Sequence, residues 1–206
     1  MNLKKIYNHK FINLQLDNWD CKTLILGTFN PENENGPYAD FYYGRVRESK
    51  RGKTWSNKFW PSLSSFVIKN EIINFELLPG EINSKIKLMK ILSFNCLDLI
   101  NSVETNIKEE EILGNNFKDI PLMKKNNKIQ YNNKSIIDFV KKKNVKKVIS
   151  SWGKGTSLSD EFKFNMTIII KECPDTIFNL YDLPPFGRPK MKNLDFGEIL
   201  YNELTQ

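Results

Sequence analysis

An asparagine follows the most apolar run of this sequence, where its amide could do chemistry. The run KTLILGT at 22–28 is typical of a buried strand, and GTFNP at 27–31 leads out of it. Gly27 would let backbone approach a ligand, and Pro31 would fix the turn. The Asn30 amide could then orient a water molecule or contact the edge of a base. An ordinary Asn-Pro turn is the alternative interpretation.

Two segments combine aromatic rings with arginines and could contact nucleic acid. FYYGRVR at 41–47 offers rings that can stack on a base and guanidinium groups that can pair with phosphate. One buried aromatic edge with solvated arginines would explain the same pattern. LPPFGRPK at 183–190 is a proline-braced loop in which Phe186 stands close to Arg188. An apolar wedge flanked by cations suits insertion into a base stack, and a structural loop with Phe186 packed inward is the alternative.

Three further segments are basic. The insert ESKRGKTWS at 48–56 could follow a phosphate backbone or be a solvated loop. SWGKG at 151–155 lacks the spacing of a P-loop, but Gly153 and Lys154 could still contact phosphate, or the segment could simply turn the chain. The nine lysines between 124 and 147 face a single acidic residue, Asp138, and indicate a solvated surface.

Composition narrows the class of protein. The chain has 31 Lys and Arg against 24 Asp and Glu, and its net charge of +7 favours a polyanionic partner. Its three cysteines are widely spaced and odd in number, so we expect a reducing cytoplasm and no disulfide framework. There is no CxxC motif and His9 is the sole histidine, which argues against zinc, iron–sulfur and most Ser/His or Cys/His chemistry. No apolar run suits a secretory signal or a membrane span.

The elements that must position these residues alternate along the chain. Strands are predicted at 22–28, 96–101, 145–152 and 176–184, and helices at 57–70, 83–94, 135–144 and 194–205. Inward positions of the second helix are Ile86, Met89, Ile91 and Leu92. This alternation predicts one α/β domain over 1–206, a three-layer α/β/α sandwich around a mostly parallel four-stranded sheet. The stretches 29–56 and 105–133 are predicted to be a long loop and an irregular polar region.

Taken in order, these segments resemble the uracil-DNA glycosylase superfamily, in particular its mismatch-specific thymine/uracil branch and its hypoxanthine branch. GTFNP is similar to the family's G-I-N-P-G after the first strand, and FYYGRVR with NKFW at 57–60 is similar to its aromatic segment. Gly153–Lys154 resembles the family's third-strand glycine and lysine, and LPPFGRP its closing loop. CLDLINSVE at 96–104 is similar to a strand and turn of the hypoxanthine branch.

The resemblance implies a monofunctional DNA glycosylase of base-excision repair. Such an enzyme flips a deaminated or mismatched base, here uracil or hypoxanthine, out of the stack and hydrolyses its N-glycosidic bond. By this resemblance Asn30 positions the attacking water, Tyr43 stacks on the base, and Asp98 and Asn101 contact the base edge. The implied substrate-binding set also contains Gly27, Thr28, Phe29 and Pro31. The implied DNA-binding residues are Arg45, Ser151, Gly153, Lys154, Pro185, Phe186, Gly187 and Arg188.

The sequence also departs from the family pattern. One extra residue separates Gly27 from Asn30, Glu32 replaces the glycine after the proline, and Arg45 stands where the family has a histidine. The closing loop has no histidine either. A catalytically inactive module that keeps the fold and binds DNA or nucleotides is therefore a second hypothesis, and an enzyme of free nucleotides or RNA is a third. We expect a monomer that binds DNA, with no cofactor, metal, membrane or obligate protein partner.

Overall fold

Five consecutive buried residues, TLILG, form a central strand, as expected of a strand that is covered on both faces. The computed structural model describes residues 4–12, 14, 16, 18–32, 39–50, 52–105, 127–150, 152, 158–184 and 192–206. Over these residues the strands are β1 (Lys5–Asn8), β2 (Thr23–Gly27), β3 (Val46–Ser49), β4 (Gly52–Trp55), β5 (Phe94–Asp98), β6 (Ile100–Thr105), β7 (Lys128–Tyr131), β8 (Lys147–Ser150) and β9 (Ile177–Asn179). The helices are α1 (Phe59–Lys69), α2 (Ile82–Ile91), α3 (Asn133–Lys143), α4 (Asp160–Glu172) and α5 (Asn193–Thr205).

Four strands pair in parallel in the order β5-β2-β8-β9. This sheet confirms the predicted α/β class and the predicted four parallel strands. Neighbouring side chains of β2 belong to different hydrophobic clusters, because side chains alternate between the two faces of a strand. Ile25 packs with residues of α1, α2 and α5, whereas Leu24 and Leu26 pack with residues of α3 and α4.

Among the described residues, five other strands lie outside the parallel sheet, and the sequence pattern does not predict them. β1, β6 and β7 form an antiparallel sheet, and β3 pairs with β4 in a separate hairpin. The predicted strand at 96–101 is wrong in its second half, since β5 ends at Asp98 and Ile100 begins β6. The change of sheet occurs at Leu99, whose amide donates to the Gly27 carbonyl at the end of β2.

Several predicted boundaries also need correction. The strand expected over 176–184 is limited to β9, and Ile91, expected to face inward, is 47% exposed. Helix α4 is not among the predicted elements, although the sequence carries a signal for it. The Ser159 side chain accepts a hydrogen bond from the Phe162 amide, and Asp160 and Glu161 occupy the first turn. Both features stabilise a helix N-terminus.

The two stretches predicted to be irregular contain ordered strands. The 29–56 stretch includes the β3–β4 hairpin, and the 105–133 stretch includes β7. Residues 33–38, 51 and 106–126 of these stretches lie outside the described part of the chain. None of the helices in the described residues is long and apolar enough to cross a membrane.

Candidate functional site

The carboxyl ends of β2 and β5 meet at the same edge of the parallel sheet. Gly27 and Asp98 are the last residues of these strands and pair directly in register. From β2 the chain passes to β5 on one side and later to β8 on the other side. In open sheets of this kind ligands bind beyond the carboxyl ends of the strands near such a change of direction. The residues around Gly27 and Asp98 are therefore the natural place for a site.

Asp98 is a carboxylate removed from solvent and held by two side-chain donors. Its side chain is 1% exposed, and its Oδ2 atom accepts from His9 Nε2 at 2.7 Å and from Asn30 Nδ2 at 2.5 Å. Hydrogen bonds of this kind are what a buried carboxylate needs to remain an anion. Its Oδ1 atom accepts no hydrogen bond from any residue that the structure describes. One carboxylate oxygen is thus fixed by the protein, and the second retains its accepting capacity.

His9 has a defined tautomer. The Phe11 backbone amide donates to His9 Nδ1 at 3.1 Å, so this nitrogen carries a lone pair. The ring proton is then on Nε2, from which it is donated to Asp98. The ring is buried among Phe11, Phe29 and Tyr42, with centroid distances of 5.9, 6.0 and 5.8 Å.

The N-terminal segment brings His9 to the end of β2. His9 forms a bridge with Pro31, and its amide donates to the Asn101 carbonyl at 2.7 Å. The Lys10 amide donates to the Asn30 carbonyl, also at 2.7 Å. Sequence reasoning missed this role of His9, which no recognisable motif surrounds. A signal did exist, because Tyr7, His9 and Phe11 alternate with exposed or partly exposed residues, as in a strand with one buried face.

Tyr43, from the segment that precedes β3, places its hydroxyl group near the same carboxylate. Its ring packs on Phe59 at a centroid distance of 5.1 Å, and its carbonyl accepts from Asn57 Nδ2 at 2.5 Å. Its φ of 54° lies in the left-handed region, which is strained for a bulky side chain and costs on the order of 1–3 kcal/mol. Strain of this kind persists only where the surroundings impose it, and it is typical of functional sites.

Gly27 allows the carboxylate and the phenol to converge. A Cβ atom at position 27 would collide with Asp98 Oδ1 and would lie only 2.6 Å from the Tyr43 hydroxyl oxygen. Both oxygens therefore lie over the same backbone atom. We call His9, Asn30, Asp98 and Tyr43 the Asp98 cluster. The structure thus brings together Asn30, Tyr43, Gly27 and Asp98 of the predicted site residues.

A small cavity of about 140 Å³ lies beside the Asp98 cluster. Its lining includes the predicted residues Asp98 and Asn101, but Asn30 and Tyr43 are not part of that lining. The full set is His9, Phe11, Ile12, Leu14, Tyr42, Leu97, Asp98, Asn101, Asn132 and Ser135. Pockets that hold drug-sized ligands usually measure about 300–1,000 Å³, so this cavity could admit only part of a nucleotide.

The other predicted substrate-binding residues make structural contacts. The Thr28 hydroxyl accepts from Trp152 Nε1 at 2.9 Å, which ties the end of β2 to the segment after β8. Phe29 is buried in a small cluster with Tyr7, Ile100 and Val103. Pro31 is buried against His9. These three residues support the turn that carries Asn30.

Of the predicted DNA-binding residues the structure describes Arg45 alone. Arg45 is partly buried, and its carbonyl accepts from the Ser56 amide and hydroxyl at 2.9 and 3.0 Å. The others, Ser151, Gly153, Lys154, Pro185, Phe186, Gly187 and Arg188, lie outside the described residues. The flanking Trp152 and Leu183 are both buried.

Tyr42 provides a pH-dependent test of the packing at this site. Burial, and then the negative charge of Asp98, raises the pKa of Tyr42 well above 10.0. The folded state therefore holds Tyr42 neutral. The resulting contribution to the free energy of unfolding is complete below pH 10 and is lost as the pH rises towards the pKa of Tyr42 in the folded state. Above pH 10 this residue should lower the free energy of unfolding by up to about 1.4 kcal/mol per pH unit, and we expect Tyr42→Phe to remove that decrease. Urea unfolding between about pH 9 and pH 11 measures it, and an unchanged alkaline slope would contradict it.

Three comparisons give no match for the chain. No protein-family model matches it, and neither a curated protein nor a solved structure does. Within the described residues no three His, Cys, Asp or Glu side chains group as a metal site requires. All three cysteines, Cys21, Cys96 and Cys173, are buried and unpaired with one another.

Proposed function

We propose that the protein is a DNA glycosylase of the uracil-DNA glycosylase type. It would hydrolyse the N-glycosidic bond of a deaminated or mismatched base, with uracil and hypoxanthine as the leading candidates, on a three-layer α/β/α scaffold. The observation that carries the proposal is the double hydrogen bond from Asn30 and His9 to the buried Asp98 carboxylate at the carboxyl edge of the sheet. No metal or cofactor is required for this chemistry.

The hydrogen bond to Asp98 determines which way the Asn30 amide points. A carboxylate only accepts, so the NH₂ group of Asn30 must face Asp98 and the amide oxygen must face elsewhere. That oxygen can accept a hydrogen bond from a water molecule and hold the water in one orientation. Because Asn30 is only partly buried, water has access to it. A fixed acceptor for the attacking water is what hydrolysis of a glycosidic bond needs.

Asp98 also supplies a fixed negative charge in a dry environment. Cleavage of a glycosidic bond develops positive charge on the sugar, and preorganised charge stabilises such a transition state most strongly where water is excluded. The unsatisfied Oδ1 atom of Asp98 lies over Gly27, beside the Tyr43 hydroxyl. A base stacked on the Tyr43 ring would then be within reach of this carboxylate.

The partner would be DNA in which the target base is already weakly paired. Extrusion of a base costs a few kcal/mol, and damage or mispairing lowers that cost. The net charge of +7 would contribute to binding through phosphate contacts.

Incubation of the wild-type chain with single-stranded and duplex oligonucleotides tests this function. The substrates carry one uracil, hypoxanthine or xanthine, and cleavage by hot alkali detects the abasic site. We expect strand cleavage with at least one of these bases, and none with the matched oligonucleotide that carries the normal base. If no abasic site forms with any substrate, the catalytic proposal is wrong.

The small cavity favours a second candidate, a module that binds DNA without releasing a base. A volume of about 140 Å³ does not accommodate a whole nucleotide, and neither Asn30 nor Tyr43 lines it. This candidate predicts binding that weakens with salt, since neutralised phosphates release counterions, together with no base release from any substrate.

A further inference from the structure

The positive charge of the chain is concentrated in two segments. Residues 45–58 contain six Lys or Arg residues and one acidic residue, Glu48, and residues 124–147 contain nine lysines and one acidic residue, Asp138. The net charge of the whole chain is only +7, so the remainder of the sequence is acidic on balance. Where these two segments lie in the fold decides which of them can contact a ligand of the proposed site.

The first segment folds as the β3–β4 hairpin, and one face of the hairpin is anchored to the protein. Val46 pairs with Trp55 and is fully buried, and Lys85 Nζ of α2 lies 4.8 Å from the centre of the Trp55 ring. Lys53 rests against Gly80, where a Cβ would lie 2.7 Å from Lys53 Cδ. An isolated two-stranded hairpin is marginally stable in water, and these contacts hold it in place.

The opposite face and the turn present cations to solvent. Arg47 pairs with Thr54, one register position away from the anchored residues, so it lies on the other face, and both residues are exposed. Ser49 pairs with Gly52 at the end of the hairpin, and Lys50, which follows Ser49, is also exposed. Short hairpin turns prefer Asn, Asp and Gly, so local propensity does not explain a lysine at position 50. Choices against local preference are typical of functional positions.

The base of the hairpin adjoins the Asp98 cluster. The Ser56 amide donates to the Arg45 carbonyl at 2.9 Å, and Asn57 Nδ2 donates to the Tyr43 carbonyl at 2.5 Å. The hairpin therefore starts beside the tyrosine whose hydroxyl lies over Gly27. By contrast, the lysines at 141–146 precede β8, which begins at Lys147, so they lie at the amino edge of the sheet, opposite the site.

We propose that the β3–β4 hairpin is a nucleic-acid-binding arm, in which Arg47 and Lys50 contact backbone phosphates flanking the nucleotide at the Asp98 cluster. The placement of that nucleotide rests on the proposed function, whereas the phosphate contacts do not require base release. A phosphate chain is the partner that suits exposed cations on an anchored hairpin, because its charges repeat at short intervals and need no shaped pocket.

The experiment compares two variants that lose the same charge at opposite edges of the sheet. Arg47→Gln with Lys50→Gln alters the hairpin, and Lys142→Gln with Lys146→Gln is the matched control at exposed positions. Fluorescence anisotropy measures Kd for undamaged single-stranded and duplex oligonucleotides over a range of salt. We expect the hairpin variant to reduce the slope of log Kd against log salt by about 0.7–0.9 per cation removed, and the control to retain the wild-type slope. A charge-conserving variant, Arg47→Lys with Lys50→Arg, should also retain it.

The outcomes separate this inference from the proposed catalysis. A reduced slope in the hairpin variant alone supports the inference, whether or not the wild-type chain releases a base. An unchanged slope in the hairpin variant, or an equal reduction in the control, overturns it. It is also overturned if the wild-type chain binds vesicles of anionic phospholipid but shows no salt-dependent binding to either oligonucleotide.

Discussion

Replacement of Asn30 by alanine is expected to lower the kcat of base release by about 10²-fold or more, with little change in affinity for DNA. The amide is held by Asp98 at 2.5 Å, so its oxygen is a fixed acceptor for the attacking water. Alanine removes that acceptor and leaves the stacking ring and the phosphate contacts in place. Single-turnover measurement of abasic-site formation reports the chemical step, and anisotropy reports the affinity.

A matched asparagine serves as the control for this experiment. Asn70 follows α1, is exposed, and donates from Nδ2 to the Phe66 carbonyl at 2.9 Å. Asn70→Ala should retain the wild-type rate, since this side chain is remote from the Asp98 cluster. An Asn30→Ala variant that releases base at the wild-type rate would remove Asn30 from the mechanism. Loss of DNA affinity with unchanged kcat would instead assign it a binding role.

The replacement of Lys85 by methionine is expected to lower the free energy of unfolding by about 3–5 kcal/mol. Lys85 is fully buried and donates from Nζ to Asp40 Oδ2 at 2.8 Å and to the Glu81 carbonyl at 2.6 Å. Burial lowers the pKa of Lys85 although the Asp40 charge opposes that shift. Methionine would preserve most of the packing volume. Among the residues that the structure describes, it would leave the buried Asp40 carboxylate with the Gly80 amide as its hydrogen-bond donor.

Lys85→Met should lower the rate of base release as well as the free energy of unfolding. Asp40 lies three residues before Tyr43, and its amide donates to the Gly44 carbonyl at 3.1 Å. The buried ion pair therefore helps to hold the turn in which Tyr43 adopts its strained φ. Once the pair is broken, the turn can relax and the ring is no longer fixed over Gly27. Urea unfolding and base release by the same variant measure the two effects.

An exposed ion pair provides the control for Lys85. Lys141 pairs with Glu172 at 3.0 Å, with side-chain exposures of 53% and 55%. Lys141→Met should cost less than about 1 kcal/mol, because solvent screens such pairs. In the double variant Asp40→Asn with Lys85→Met neither of these two positions carries a buried charge, so part of the lost stability should return. A Lys85→Met variant as stable as Lys141→Met would show that the buried pair contributes nothing net.

The parallel sheet is predictable from sequence because its signals are local. β2 is an unbroken apolar run, and the helical segments that alternate with the strands carry their own periodicity. The location of the site also follows from the topology. The carboxyl ends of parallel strands lie at one edge of the sheet, so the residues that follow them gather there. The family resemblance assigns Asn30 and Asp98 to one site, and in the structure the two side chains share a hydrogen bond.

The antiparallel sheet and the hairpin anchors are not predictable in this way. β1 pairs with β6 in a register that joins Tyr7 to Val103, and short strands far apart in sequence carry no local mark of their partner. His9 enters the site through that pairing. The contact of Trp55 with Lys85 likewise depends on where α2 lies relative to the hairpin.

Local sequence thus sets which segments become buried strands and amphipathic helices, because backbone geometry and the apolar pattern act over a few residues. The folded chain alone settles that a histidine from the N-terminus, an asparagine after β2 and a strained tyrosine converge on one carboxylate. Such convergence depends on long-range pairing and on the desolvation of a charge, which no short window of sequence contains.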